Sequence, residues 1–220
     1  MKHTFFIKDW LNSFLSLLFP HCCVVCGRPL AKGEECLCIM CNINLPRTNY
    51  HLRKDNPVER LFWGQIPLER ATSFFFYRKG SDFRQILHQL KYGGKKEVGI
   101  IMGRYMAAEL SDSGFFEGVD VIIPIPLHKK KQQIRGYNQS ECIARGIAAV
   151  TGITVCVESV VRRKNTETQT RKSVFERWEN VDGIFELNHA DSLTGKHILI
   201  VDEGQCKNLR GKFINCYLCL

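Results

Sequence analysis

Short apolar runs alternate along the chain with stretches in which apolar residues recur at helical spacing. The runs predict buried strands, in chain order at residues 71–77, 119–125, 153–161 and 197–201, with a strand or hairpin piece at 184–187. The helical spacing predicts helices at about residues 83–90, 95–110 and 139–150. Because strands and helices alternate, the pattern predicts an α/β fold with a mostly parallel sheet and helices on both faces.

The first twenty residues carry a pattern of their own. Their apolar residues follow helical spacing from Ile7 to Leu18, while Lys8 and Asp9 interrupt the apolar run. The segment Phe19-Pro20-His21 is too bulky for a signal-peptide cleavage site, and the run is too short to span a bilayer. We therefore predict an amphipathic helix over residues 1–20 that packs on the body or a partner, with membrane-surface contact as the alternative, and a cytoplasmic protein.

Six of the eleven cysteines lie between Cys22 and Cys41. Two CxxC pairs stand out, with eleven residues between them: Cys23 and Cys26, then Cys38 and Cys41. Two such pairs can complete the tetrahedral shell of one zinc ion, and four thiolates leave no open position for a reacting water. The spacing predicts a structural zinc site. A redox CxxC motif, which needs only one pair, and chance clustering are the alternatives.

The domain organisation follows from these segments. We expect the amphipathic helix at 1–20, a zinc-knuckle module at 21–50, a polar, turn-rich linker at 51–70 and the α/β domain at 71–220. A chain of 220 residues is long enough for one such domain and a small appendage.

Positive charge is concentrated in the second half of the chain. The net charge is +9, and residues 128–172 contain ten Lys or Arg against three acids. We expect two basic loops, at 128–135 and 162–172. This distribution suits a phosphate-rich partner, either nucleic acid or a phosphorylated metabolite, and a solvated surface without a dedicated partner is the alternative.

Three polar features follow predicted strands. Asp202 and Glu203 end the last apolar run, the segment 124–127 ends an earlier one and leads into the first basic loop, and Arg162 and Arg163 follow a third. In open α/β sheets, ligands bind beyond the carboxyl ends of the strands. Adjacent acids there can hold sugar hydroxyls or Mg²⁺, and basic loops can hold phosphates. A helix cap is the alternative for the acidic pair.

These motifs together resemble the competence protein F (ComF) family over roughly residues 14–203. The resemblance rests on the CxxC pairs followed, in order, by Leu90-Lys91-Tyr92, Pro124-Ile125-Pro126-Leu127, Arg135-Gly136-Tyr137-Asn138-Gln139, Gln169 with Arg177 and Asn180, and the run into Asp202. It implies a type I phosphoribosyltransferase fold behind a zinc knuckle. It also implies a role in DNA uptake during natural transformation, with a helicase-like competence protein as a partner. Single-stranded DNA is a further candidate partner, because the basic segment from Lys129 to Arg135 suits its phosphates.

The resemblance also implies site residues. Asp202 and Glu203 would hold the ribose hydroxyls of phosphoribosyl pyrophosphate with Mg²⁺, and a loop of Pro126, Leu127, His128 and Lys129 would meet the pyrophosphate. Further contacts to phosphate or DNA would come from Lys130, Lys131, Arg135, Tyr137, Asn138, Gln139, Arg162 and Arg163. For Tyr137 to Gln139, beginning and capping a helix is the alternative. No catalytic residue is identified.

The sequence departs from the family after its two acids. The family expects a Thr-Thr-Gly-x-Thr loop whose amides cradle a 5′-phosphate, but Gly204-Gln205-Cys206-Lys207 follows here and no threonine occurs after Thr194. We therefore expect an altered or truncated end, from a shifted reading frame or a premature stop. The hypotheses are a ComF-like DNA-uptake protein with little enzymatic activity, an active phosphoribosyltransferase, and a zinc-dependent module that binds single-stranded nucleic acid.

Overall fold

The computed structural model describes residues 20–64, 66–78, 80–163, 184–188 and 190–203, together with the backbone pairing of 205–208 and 211–219. The predicted helix at 1–20, apart from its last residue, lies outside the described residues. So do Gln169, Arg177 and Asn180, on which part of the family resemblance rests.

The three long helices predicted from apolar spacing are confirmed. In chain order the helices are α1 (Ile39–Ile43), α2 (Arg84–Tyr92), α3 (Lys96–Ser111), α4 (Lys129–Arg135) and α5 (Gln139–Thr151), with 3-10 helices at Tyr50–Leu52, Glu59–Leu61 and Ala190–Leu193. Within the described part of the chain, no helix combines the length and the apolar character needed to cross a membrane.

The predicted basic loop at 128–135 is wrong, because its residues from Lys129 onward form α4. The ring nitrogen Nδ1 of His128 caps the helix by accepting the backbone N–H of Lys130 at 3.3 Å. Gly136 ends it in the left-handed conformation (φ 80°), and its N–H donates to the carbonyl of Gln132 at 2.7 Å. Lysine, glutamine and arginine favour helices intrinsically, so the segment needs no apolar stripe.

The strands form one six-stranded sheet and one hairpin. They are β1 (Arg70–Tyr77), β2 (Val121–Pro124), β3 (Thr154–Val155), β4 (Val160–Arg162), β5 (Phe185–Leu187), β6 (Ile198–Val201), β7 (Gln205–Asn208) and β8 (Gly211–Cys219). The main sheet has the order β1-β8-β6-β2-β3, with β7 paired to β8. Strands β6, β2 and β3 are parallel, whereas β8 is antiparallel to both β1 and β6. The fold is therefore mixed α/β, with a parallel part of three strands.

Two strand predictions need correction. The single strand predicted at 153–161 is divided by a bend, so that β3 joins the main sheet and β4 pairs with β5 in a separate hairpin. The run at 197–201, predicted as the last strand, is followed by β7 and β8, and β8 lies between β6 and β1. A uniform apolar run does not reveal where its backbone changes partners.

The two faces of the parallel strands pack against different elements. Ile122 and Leu199 belong to the main core with Ile143 and Ile147 of α5. On the other face, Val121 and Ile123 form a smaller cluster with Leu193 and its neighbours. Among the described residues, the hairpin and a 3-10 helix therefore cover the face where the sequence predicts further helices.

The cysteine-rich segment is packed into the main core. Cys23, Cys36, Leu37, Cys38 and Leu45 are buried in the same cluster as Phe74, Leu90 and Met102. Two ion pairs join the segment and the residues after it to α3: Arg47 with Glu109 at 2.5 Å, and Arg104 with Glu35 at 2.7 Å. Segment 51–70 also packs, since Val58 is fully buried against Ala71.

Candidate metal centre and cationic strand-end site

Cys23, Cys26, Cys38 and Cys41 form a compact cluster. Their sulfur atoms all lie within 4.8 Å of one another, and the Sγ atoms of Cys26 and Cys38 are 3.7 Å apart. Tetrahedral zinc with bonds of 2.3 Å places its sulfur ligands about 3.8 Å apart. The four thiols selected from the sequence are therefore close enough to hold one metal ion.

The backbone around the first CxxC pair favours metal binding in two ways. Gly27 follows the first pair at φ 72°, a conformation that favours glycine, and its N–H donates to the carbonyl of Cys23 at 2.9 Å. Burial acts to raise the pKa of Cys23, but the N–H groups of Cys26, Cys38 and Val25 outweigh it and lower the pKa to about 7. The thiolate is the form that binds metal.

Cys22 and Cys36 lie beside the cluster but are not part of it. The exposed thiol of Cys22 donates to the carbonyl of Pro20 at 3.4 Å. Burial, followed by the nearby charge of Cys23, raises the pKa of Cys36 to about 12, which keeps it a neutral thiol. This matches the sequence interpretation, in which both remain free.

A second candidate site lies where the ends of β2 and β6 meet the start of α5. The N–H of Ile125 donates to the carbonyl of Val201 at 2.8 Å, and the side-chain amide of Asn138 donates to the carbonyl of Ile125 at 3.0 Å. The N–H of Glu203 donates to the hydroxyl oxygen of Ser140 at 3.1 Å. These contacts define a strand-end site, with Asp202 and Glu203 at its centre.

Glu203 is enclosed and already paired with cations. Its Oε2 lies 2.6 Å from Nζ of Lys91, and its Oε1 lies 3.9 Å from Arg135, with side chains only 14–20% exposed. Burial raises the pKa of Glu203, and Lys91 acts in the opposite direction. This geometry favours a positioning role, in which the Glu203 carboxylate fixes two cations at the edge of the site.

Arg135, Tyr137, Asn138 and Gln139 join α4 to α5. Arg135 donates to Oε1 of Gln139 at 3.0 Å, and the hydroxyl of Tyr137 donates to the carbonyl of Leu90 at 2.6 Å. Asn138 caps α5 by accepting the N–H of Ser140 at 3.1 Å. Gln139 is fully buried, and its side-chain nitrogen has no hydrogen-bond partner among the described residues.

Three cations predicted to contact phosphate are brought near one another. Burial lowers the pKa of Lys131, and the positive charges of Arg162 and Arg135 lower it further. Burial also lowers the pKa of Arg162, although the carboxylate of Asp202 acts to raise it. Mutual repulsion of this kind is relieved by a bound anion.

The remaining predicted residues differ in their exposure and contacts. Pro126, Leu127 and His128 are half-buried, whereas Lys129 and Lys130 are exposed on α4. Arg163 points away into an ion pair with Glu186 on the hairpin. Pro126 also lines an apolar cavity of about 430 Å³ between the sheet and the hairpin, with Ile123, Phe185 and Leu193.

Sequence reasoning gave no individual role to Lys91 or Tyr92. They appeared only in the motif Leu90-Lys91-Tyr92, yet Lys91 pairs with Glu203 and the Tyr92 ring lies beside Arg135. These contacts join positions far apart in the chain. The only sequence feature that could have pointed to these two residues is their type and place, a cation and an aromatic residue at the end of a predicted helix.

The similar proteins found by comparison with known proteins all carry the same name. No protein-family model matches the sequence. The chain is similar to the DNA utilization protein YhgH of Shigella flexneri, at 27% identity over 202 residues that cover 85% of this chain and 86% of that protein. The proteins of the same name from Escherichia coli K12 and Salmonella typhimurium are 26% and 25% identical over the same shares of each chain. This similarity is consistent with a ComF-family protein and fits a role connected with DNA.

Proposed function

We propose that this protein handles single-stranded DNA during DNA uptake, as a ComF-like protein with a phosphoribosyltransferase-like fold. The observation that carries the proposal is the similarity to DNA utilization proteins, which extends over 85% of this chain. A helicase-like competence protein is the proposed partner, as the family resemblance implies.

The charge around the strand-end site supports DNA as the ligand. Helices α2 and α4 contain six Lys or Arg and no acidic residue. Lys129 and Lys130 are exposed there, and Lys131 is half-buried. A cationic surface of this kind binds the phosphate backbone, and such binding weakens steeply with salt.

Direct binding tests this proposal. A labelled oligodeoxythymidine of about 20 nucleotides is titrated by fluorescence anisotropy at about 50 and 200 mM salt. We expect binding that weakens with salt, with a logarithmic slope of about −0.7 for each phosphate contact. Absent or salt-insensitive binding would overturn the DNA proposal.

A pair of matched variants locates the binding surface. The double change Lys129→Gln and Lys130→Gln removes two exposed charges from α4, and Arg53→Gln with Lys54→Gln removes two exposed charges elsewhere. We expect only the first pair to weaken binding, by roughly tenfold at low salt, and to reduce the salt slope. Equal effects of the two pairs would indicate that net charge alone drives binding.

We propose that the four clustered cysteines hold one structural zinc ion. The sulfur spacing suits zinc, and four thiolate ligands leave no position for a substrate. Purified protein should contain one zinc per chain by atomic absorption. Cys23→Ser should lose it, while Cys22→Ser, at the exposed neighbouring thiol, should retain it. Full zinc occupancy in Cys23→Ser would contradict this assignment.

A phosphoribosyltransferase reaction is the second candidate. One observation favours it: Arg162 lies near Asp202, which follows the parallel strand β6, and Lys131 lies near both Arg162 and Arg135. The carboxyl end of a parallel strand suits a phosphorylated sugar. The test is release of pyrophosphate from phosphoribosyl pyrophosphate with Mg²⁺ and a panel of amines and bases. No release across the panel would exclude this reaction for the panel tested.

A further inference from the structure

One face of α2 carries an exposed row of cationic and aromatic side chains. Arg84, His88 and Tyr92 are spaced four residues apart, so they lie on one stripe of the helix, and all three are exposed. The stripe extends over about 12 Å. Tyr92 is 71% exposed, which is unusual for a side chain of its size. Packing in the core therefore does not explain its position.

The Tyr92 ring is nevertheless held by its neighbours. The ring of His88 lies 5.3 Å away at an interplanar angle of 49°. The guanidinium carbon of Arg135, from α4, lies 5.7 Å from the centre of the Tyr92 ring. Arg135 is itself fixed by Gln139 and by the Glu203 carboxylate. The phenol ring is therefore oriented, while most of its surface is open to solvent.

An oriented and exposed ring beside cations has a definite binding chemistry. Single-stranded nucleic acids are held by aromatic rings on which bases stack, combined with cations that follow the backbone. Paired bases in a duplex do not offer their faces in this way. Helices α2 and α4 contain no acidic residue of their own, and the neighbouring carboxylate of Glu203 is paired with Lys91.

We propose that Tyr92 is the base-stacking platform of this protein, with Arg84 and Arg135 contacting the phosphates on either side. The proposal rests on the proposed function and adds to it the residue that recognises unpaired bases. Here α4 contributes long-range attraction, and the row on α2 contributes the contact to the base.

The experiment separates stacking from charge. Wild type, Tyr92→Ala and Tyr92→Phe are titrated with a labelled oligodeoxythymidine and with an abasic oligomer of equal length, which has the same phosphates and no bases. Trp63→Ala is the matched control, because Trp63 is also exposed (58%) and also faces a guanidinium, that of Arg60 at 5.5 Å.

We expect Tyr92→Ala to weaken binding of the oligodeoxythymidine at least about fivefold, and to leave binding of the abasic oligomer within about twofold of wild type. Tyr92→Phe and Trp63→Ala should stay within about twofold of wild type on both ligands. The inference is overturned if Tyr92→Ala binds oligodeoxythymidine like wild type, or weakens both oligomers equally. If wild type binds neither oligomer, the proposed DNA-binding function itself fails. If wild type binds but Tyr92→Ala does not weaken binding selectively, only the role of Tyr92 fails.

Discussion

The residue whose environment most constrains the strand-end site is Glu203. A carboxylate with 14% of its side chain exposed loses much of its hydration, and burial raises its pKa. Lys91, 2.6 Å away, compensates by favouring the charged form. Removing one partner of such a pair leaves the other charge buried and unpaired, which costs far more than the pair itself contributes.

Lys91→Met should therefore destabilise the protein in a pH-dependent way. Without Lys91 the folded-state pKa of Glu203 rises further above its unfolded value. The stability linked to such a raised pKa is present at acidic pH and is lost as pH rises through the folded pKa. We expect a loss of about 2 kcal/mol at about pH 8 and a smaller loss near pH 5. Urea unfolding at both pH values measures this.

The Glu203→Gln background provides the control for this prediction. A neutral side chain there has no charge to leave unpaired, so Lys91→Met should cost little and its cost should no longer depend on pH. An equal cost of Lys91→Met in both backgrounds would show that packing of the lysine stem, and not the ion pair, is responsible.

Asn138 makes one contact that its local sequence predicts and one that it does not. The sequence left helix capping open for this position, and the structure shows Asn138 capping α5. Its side-chain amide also donates to the carbonyl of Ile125, thirteen positions earlier. The cap could be predicted because it is local, whereas the contact to the end of β2 depends on the tertiary fold.

The two roles of Asn138 can be separated by mutation. Asn138→Ala removes both hydrogen bonds, and we expect it to lower the free energy of unfolding by about 2 kcal/mol. Asn138→Ser keeps a capping oxygen but cannot reach Ile125, so it should cost about half as much. Denaturant unfolding measures both values. Equal losses would mean that the cap contributes nothing.

At the scale of elements, α3 and α5 pack closely against each other. Gly103 of α3 faces the backbone at Ile143, and Gly146 of α5 faces the backbone at Ile100. A Cβ at either glycine would clash with a carbonyl oxygen of the facing helix. The two helices therefore approach as closely as they do because both positions lack a side chain.

Gly103→Ala and Gly146→Ala should each destabilise the protein by about 2 kcal/mol, even though alanine favours helices over glycine by about 1 kcal/mol. The clash is with backbone, which cannot move aside without displacing a helix. Gly99→Ala is the comparison, because a Cβ added at Gly99 would first meet side-chain atoms, those of Cys142 and Leu90 at 2.8 and 2.9 Å, and not backbone. It should cost less in thermal or urea unfolding. A gain in stability at Gly103 would contradict this account.

Elements with a strong local pattern were predictable, and elements without one were not. Helices α2, α3 and α5 have apolar stripes and lie within a few residues of their predicted positions. Helix α4 lacks such a stripe and was predicted as a loop, because the interactions that define its ends are a histidine cap and a left-handed glycine. Strand β8 depends on pairing with β1 and β6, residues distant in sequence.

The whole molecule also determines which site residues meet. The cysteine cluster could be predicted from spacing alone, since each pair is local and the pairs are joined by a short segment. The contacts of Lys91 with Glu203 and of Tyr92 with Arg135 could not, because they join helices to a strand end and to each other across the fold. Cysteine spacing thus predicts a metal centre, whereas recognition surfaces require the tertiary structure.

The cysteine cluster shares its core with the α/β body, so zinc should stabilise the whole molecule. Cys23, Leu37 and Cys38 are buried in one cluster with Phe74 and Leu90. Without the ion, four thiols at this spacing lose the bonds that hold them together, and the shared core loosens. We expect zinc-loaded protein to unfold in one cooperative transition, and chelation to lower its Tm by about 10 °C. Calorimetry before and after chelation, with zinc readdition as the control, measures this. An unchanged main transition would mean that the cluster folds as an independent module, despite the core that it shares.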